Sequence, residues 1–384
     1  MFLVIFVFLL RFNRNNMFKR ILLLFVAIVT ICACSSSEEI APEQVDSFDR
    51  SAMMKNIADN IIIPAYEDFN SKMSALKIVG ETFITTPNQS NLDALRASWF
   101  AAYKTWQSVE MFDIGKAEEL QFKFYMNVYP VTVNDIEDNI ANESYDLNSV
   151  NNHDAQGFPA LDYLLHGLAD TDVAILDKYT TGENKDNYKN YISAVLGQMN
   201  TLTTSVASDF KAQRNIFVES TENTATSSVN KLINDYIFYY EKGLRANKFG
   251  IPSGIFSSTP LPEKVEGRYK NNVSKELALD ALTAVKNLFE GRHYNSSETG
   301  LSFKAYLIKL NRTDIATGTS SQFNTATAQI EALENSFATQ IGRMGGITGM
   351  TRSYDELQKA VVLLKVDMLQ AFNISVDYVD ADGD

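Results

Sequence analysis

The sequence predicts an all-α fold of two bundle-like helical domains, and three observations carry that expectation. Apolar residues recur at three- and four-residue steps over long stretches, while segments of alternating strand character are few. Only 8 prolines and 18 glycines occur in 384 residues, and no proline follows Pro262, so the last third lacks the punctuation of a loop-rich all-β chain. Four or five long helical patterns fall in each half, for which two helical bundles are the economical arrangement. With 45% hydrophobic and 21% charged positions, the composition is that of a globular chain and not of a disordered one.

The first segment reads as an address. Two apolar runs, Phe2 to Leu10 and Ile21 to Thr30, flank a polar and basic stretch, and neither reaches the ~20 apolar residues of a spanning helix. Lys19 and Arg20 precede the second run and small residues follow it, the pattern of a secretory signal whose expected start is Met17. Ile31-Cys32-Ala33-Cys34 is similar to a bacterial lipobox, in which the cysteine after a small residue is acylated and becomes the mature N-terminus. Cys34 is therefore the expected lipidation site, residues 1–33 the signal segment, and residues 34–47, with Ser35-Ser36-Ser37-Glu38-Glu39, a flexible tether. A plain cleaved signal is the alternative. The expected partner is thus a membrane, reached through the lipid, and the expected location is the cell envelope, as an outer-membrane lipoprotein facing either the periplasm or the surface.

Charge narrows the partners further. The chain carries 34 Lys and Arg against 47 Asp and Glu, a balance of −13. Removing residues 1–33 takes away Arg11, Arg14, Lys19 and Arg20 and no acid, which carries the balance to −17. No basic field remains for nucleic acid, and acyl chains must supply any membrane affinity. Two cysteines and three histidines build neither a disulfide framework nor a His-rich metal cage.

Residues 48–220 are expected to form the N-terminal bundle. Ile57, Ile61, Ile62, Tyr66, Phe69 and Met73 define an amphipathic helix kinked at Pro64. Ser90 and Asp93 suggest a capped start for a helix carrying Leu92, Leu95, Trp99, Tyr103 and Trp106, running to about Phe112 and stopping near Gly115. Trp99, Phe100, Tyr103 and Trp106 read as core. Residues 127–152 are rich in Asn and Asp and predict irregular connections with one or two brief helices. In the block Gly157 to Gly167, Pro159 suits a first helical turn and Gly167 a stop. Long helices follow at Asn187 to Phe210 and Ser228 to Ala246. Residues 221–384 are expected to form the second bundle, with a capped helix from Ser274 to Gly291 and further helices at Ser302 to Leu310, Ser321 to Ile341 and Tyr354 to Phe372. Both capped helices end at a glycine, which suggests an internal duplication.

Several segments resemble the imelysin-like proteins of bacterial envelopes. They are Ser98 to Glu110, Gly157 to Leu165, Gly250-Ile251-Pro252-Ser253-Gly254, Val265-Glu266 through Leu282, and the acidic end Asp380 to Asp384. The resemblance implies two helical domains with a functional site near their interface, a link to iron uptake, and a metallopeptidase label. The family signature is Gly-x-His-x-x-Glu. This chain keeps Gly157 but has Pro159 in place of the histidine and Asp162 in place of the glutamate. Proline offers no lone pair to a metal, so a peptidase reading loses its main ligand.

Asp162 and His166, four residues apart on a helix, could chelate a divalent ion, with His153 as a third ligand, or could simply complement the helix dipole. The resemblance implies that Glu110 and Glu266 approach the same interface as Asp162. An acidic cluster of Asp162, Glu110 and Glu266 would suit a hard cation such as Fe(III) or Ca²⁺, and an interdomain salt bridge through Arg268 or Arg245 is the alternative. The Asp380 to Asp384 tail lacks the closing glutamate of a calcium loop. No nucleophile elbow, Walker loop or dinucleotide fingerprint is present. The expected function is a non-enzymatic envelope lipoprotein that binds a metal, a metal complex or an envelope iron-uptake partner. The alternatives are a divergent metallopeptidase using Asp162 and His166, or a polysaccharide-binding module.

Overall fold

Pro64 shapes the first helix in an unexpected way. In the computed structural model, which describes residues 47–378, the helix Arg50–Ile57 passes into a π-helical turn, Ala58–Ile62, and resumes as Ile63–Thr85. Proline has no N–H to return to the carbonyl four residues back, which is that of Asn60. That carbonyl accepts instead from Tyr294 N at 2.8 Å, so the proline ties the first helix to the second half of the chain. Asn56 adds to the tie by donating to the Leu301 carbonyl at 3.0 Å.

Helices dominate the described residues, and their pairing outside helices is a single isolated bridge, Arg292 to Thr299. Phe48 onward forms one compact unit, within which two groups of helices can be traced. In the first group Ile63–Thr85 packs between Gln89–Trp106 and the long Lys185–Glu219. In the second, Thr313–Glu331 packs on Gly346–Val361 and Ser274–Glu290, and the stretch Tyr239–Gly250 lies against Gly346–Val361. Trp99, Tyr103 and Trp106 are buried as expected, with Phe100 packed at the margin of the core.

Several boundaries depart from expectation. The helix expected to be capped by Ser90 is capped by Asn88, whose side chain accepts from Asn91 N at 2.9 Å, and it ends at Trp106. Val273 precedes Ser274–Glu290 without a side-chain cap, because the Ser274 hydroxyl donates to the Glu266 carbonyl at 2.7 Å. The helix expected over Ser321 to Ile341 is two, Thr313–Glu331 and Phe337–Gly342, the second capped by Ser336. The helices Lys116–Leu120, Phe122–Met126 and Asp172–Thr180 were not visible in the periodicity. Among the described residues no helix is long and apolar enough to cross a membrane. The signal segment, Cys34 and the Asp380 to Asp384 tail lie outside the described residues.

Candidate functional site

The block from Gly157 begins where only glycine fits. Gly157 has φ +78°, and a side chain there would strike the Met126 carbonyl. Phe158 then stacks on Tyr103 with centroids 4.5 Å apart, and its carbonyl accepts from Trp99 Nε1 at 3.0 Å. Pro159 takes its place in the first turn of Gly157–Asp162, and a π-helical turn, Tyr163–Gly167, follows.

Asp162 is buried and spends both oxygens on backbone. Oδ2 accepts from Tyr269 N at 2.8 Å and Oδ1 from Lys270 N at 2.9 Å. It therefore clamps the turn at 269–270 to the motif block. Burial pushes its carboxyl up to about 7, against those hydrogen bonds and Lys270. His166 turns elsewhere, edge-on to Trp99 at 5.4 Å, with Nε2 buried and without a partner. Burial, then Arg96 and Lys270, push it down to about 3, so it stays neutral. His153 packs between Phe124 and Tyr125.

Glu266 anchors a second polar knot. Its carboxylate pairs with Lys248, whose ammonium also donates to Gln107 Oε1 at 2.8 Å. Gln107 and Asn127 donate to Glu266 Oε1 at 3.2 and 2.9 Å. Asn127 also donates to Glu110 Oε1 at 3.0 Å, Tyr239 donates to Glu110 Oε2 at 3.1 Å, and Tyr103 donates to Asn127 at 2.6 Å. Burial pushes Glu110 up, helped by Glu266 and opposed by Lys248, Asn127 and Tyr239. The expected salt bridge thus exists, but its cation is Lys248. Arg268 instead donates to the Glu263 carbonyl at 3.2 Å, and Arg245 lies beside Glu241 and Gln358.

The expected metal ligands are consequently not assembled. Asp162 faces backbone amides, His166 faces Trp99, and Glu110 and Glu266 share neutral donors and an internal ammonium. Among the described residues no three His, Cys, Asp or Glu side chains come together in a way that could hold a metal ion. The donors present do not fit a resident metal at the motif block.

Open space lies to either side of Tyr129. Next to Pro159 and Asp162 there is a gap of about 20 Å³, room for about one water. On the other side is a cavity of about 330 Å³, walled by Glu110, Asp113, Lys123, Phe124, Tyr129, Asp235, Phe238 and Tyr239 among others. Lys123 is held by Asp113 at 2.6 Å. Among the described residues no hydrogen bond reaches the Asp235 carboxyl; burial, then Asp113, Asp377 and Glu118, push it up to about 8 against Lys123.

A family model described as imelysin matches residues 62–364. The chain belongs to the imelysin family. Its fold is similar to that of an imelysin-like protein from Psychrobacter arcticum 273-4, with a TM-score of 0.66, 17% identity, and coverage of 87% of this chain and 99% of that one. It is also similar to a structure described as an iron-regulated protein A precursor from Parabacteroides distasonis ATCC 8503, with a TM-score of 0.62, 17% identity, and coverage of 84% and 97%. Iron-regulated protein A of Synechococcus elongatus is 24% identical over 100 residues, which are 26% of this chain and 28% of that protein. The family resemblance read from Ser98 to Glu110 and from the Gly157 block is therefore correct.

Sequence reasoning missed Lys248, Gln107, Asn127, Asp235 and Tyr239. One signal was available: Glu241, Arg245 and Lys248 fall at helical spacing within the stretch Leu232 to Phe249, which is rich in Leu, Ile, Phe and Tyr.

The raised carboxyls of this imelysin fold make a pH prediction. The native chain holds protons on Asp162 and Asp235 that the unfolded chain, with carboxyls near 4, releases. Their contribution is full below about pH 4 and is lost as pH rises through about 7 and 8. His166 acts in the opposite sense only below about pH 6.5, its unfolded value. Thermal unfolding should therefore shift to lower temperature between about pH 6.5 and pH 8.5, and Asp235→Asn should flatten that slope. An unchanged slope in the variant would remove Asp235 from the account.

Proposed function

We propose that this imelysin-family chain is a non-enzymatic binding protein in iron acquisition at the cell envelope, anchored through lipid on Cys34. Its ligand, a metal complex rather than a bare ion, enters the cavity beside Glu110 and Tyr239. One observation carries the reading: the carboxylates at the motif block and at Glu266 are consumed by internal partners, while the adjacent cavity still presents an unengaged carboxylate, Asp235, among aromatic rings. Iron regulation in the names of two similar proteins supports the iron link. The metallopeptidase alternative requires ligands that Pro159 and the engaged Asp162 do not supply. The polysaccharide alternative requires exposed aromatic residues, and Trp99, Tyr103 and Trp106 are core.

Titration calorimetry of the purified protein with ferric chelates, free Fe(III) and Zn²⁺ tests this. A chelate should bind and bare ions should not bind stoichiometrically. Labelled palmitate should be incorporated in the bacterial host and lost in Cys34→Ala. Chelator-sensitive cleavage of unfolded protein that Asp162→Ala abolishes would overturn the reading in favour of a metallopeptidase.

A further inference from the structure

We infer that the 330 Å³ cavity recognises the protonated primary amine of an organic ligand, seated between Asp235 and Glu110 against the rings of Tyr129 and Tyr239. The inference rests on the reading that this cavity is the binding site, and names the chemistry it selects.

The chain supplies its own template for such binding. Lys123 projects an ammonium at the cavity wall, 5.2 Å from the ring centroid of Phe238 and 5.5 Å from that of Phe124, with its charge met by Asp113 at 2.6 Å. An ammonium is stabilised there by the electron-rich faces of the rings and by a carboxylate acceptor. The same cavity repeats rings and carboxyls around Asp235, toward which Lys123 acts only through space. Tyr129 and Tyr239 supply the rings. Among the described residues no side-chain or backbone donor reaches the Asp235 carboxyl, and the Glu110 carboxyl accepts from the neutral Asn127 and Tyr239. Lys242, also on the wall, lies 3.3 Å from Glu241.

Charge selects against the opposite ligand. Glu110, Asp113 and Asp235 face the cavity against the two lysines of its wall, Lys123 and Lys242, and Glu118 and Asp377 add to the acidic side by acting on Asp235 from outside the wall. Above about pH 8, where Asp235 is ionised, an anion would meet that field, whereas a ligand ammonium relieves it. Among the described residues a bare metal ion finds no group of three convergent ligands. The volume falls within the range of small-molecule sites, so a short amine or the amine arm of a larger chelate fits.

The test uses the full chain and three isosteric probes at low ionic strength and about pH 9, where Asp235 is ionised and an alkyl ammonium keeps its proton: pentane-1,5-diamine, pentane-1,5-diol and glutarate. Saturation-transfer NMR and calorimetry should show the diamine binding at least about tenfold more tightly than the diol or glutarate, equivalent to about 1.4 kcal/mol. Asp235→Asn should weaken the diamine at least about tenfold. Asp280→Asn, in a separate cleft, should leave it unchanged, and matched thermal unfolding of the two variants at one pH guards against a folding defect. Equal binding of the diol or glutarate, or indifference to Asp235→Asn, overturns the inference. If a ferric chelate binds in an Asp235-dependent manner but the diamine neither binds nor competes, the amine inference falls and the proposed function stands. If nothing binds in this cavity, both fall.

Discussion

Lys248→Met is expected to lower the free energy of unfolding by about 3–5 kcal/mol, the usual penalty for leaving one member of a buried ion pair behind. Lys248 and Glu266 are each only 2% exposed. Removing the ammonium leaves Glu266 with the neutral donors Gln107 and Asn127, while Glu110 loses the cation that opposes its upward shift. The double variant Lys248→Met/Glu266→Gln should recover most of the loss, since a neutral amide costs far less to bury than an unpaired carboxylate. Urea unfolding of the two singles and the double gives the coupling directly. A loss below about 1 kcal/mol in Lys248→Met would mean that the pair is solvated and not buried.

Asp162→Ala should cost about 1–3 kcal/mol, because two part-buried backbone donors, Tyr269 N and Lys270 N, lose their buried acceptor together. Asp162→Asn keeps an acceptor oxygen and should fall between the two. Amide hydrogen exchange provides the specific readout: Tyr269 and Lys270 should lose protection in Asp162→Ala while amides in Lys185–Glu219 keep theirs. Full protection at 269–270 in the variant would refute the clamp. The sequence placed Asp162 at the functional block for metal-binding reasons; the fold gives it a mechanical task, holding the turn of the second helical group against the Gly157 block.

The helical class was legible because burial of an amphipathic face writes a period into the sequence that survives any tertiary detail. Leu92, Leu95, Trp99, Ala102 and Trp106 had to share a face, and they are buried. Helix ends were read less well wherever two capping residues competed, as at Asn88 and Ser90, since the choice depends on backbone geometry just outside the helix. The break between Thr313–Glu331 and Phe337–Gly342 was missed because the apolar spacing continues across it.

By itself the sequence determined the all-α class, the imelysin resemblance, and the loss of a metal ligand at Pro159. Each of these is a property of residue type at a fixed spacing. Only the tertiary structure decided the rest. Asp162 meets amides more than a hundred positions away, Lys248 rather than Arg245 or Arg268 neutralises Glu266, and Asp235 is left facing a cavity. Such pairings are set by which helix faces meet, and by π-helical stretches such as Tyr239–Gly250 that turn side chains off the ordinary helical register. A hydrogen bond or ion pair between distant residues leaves no periodic trace in one chain, so its partners emerge only when packing brings them within reach.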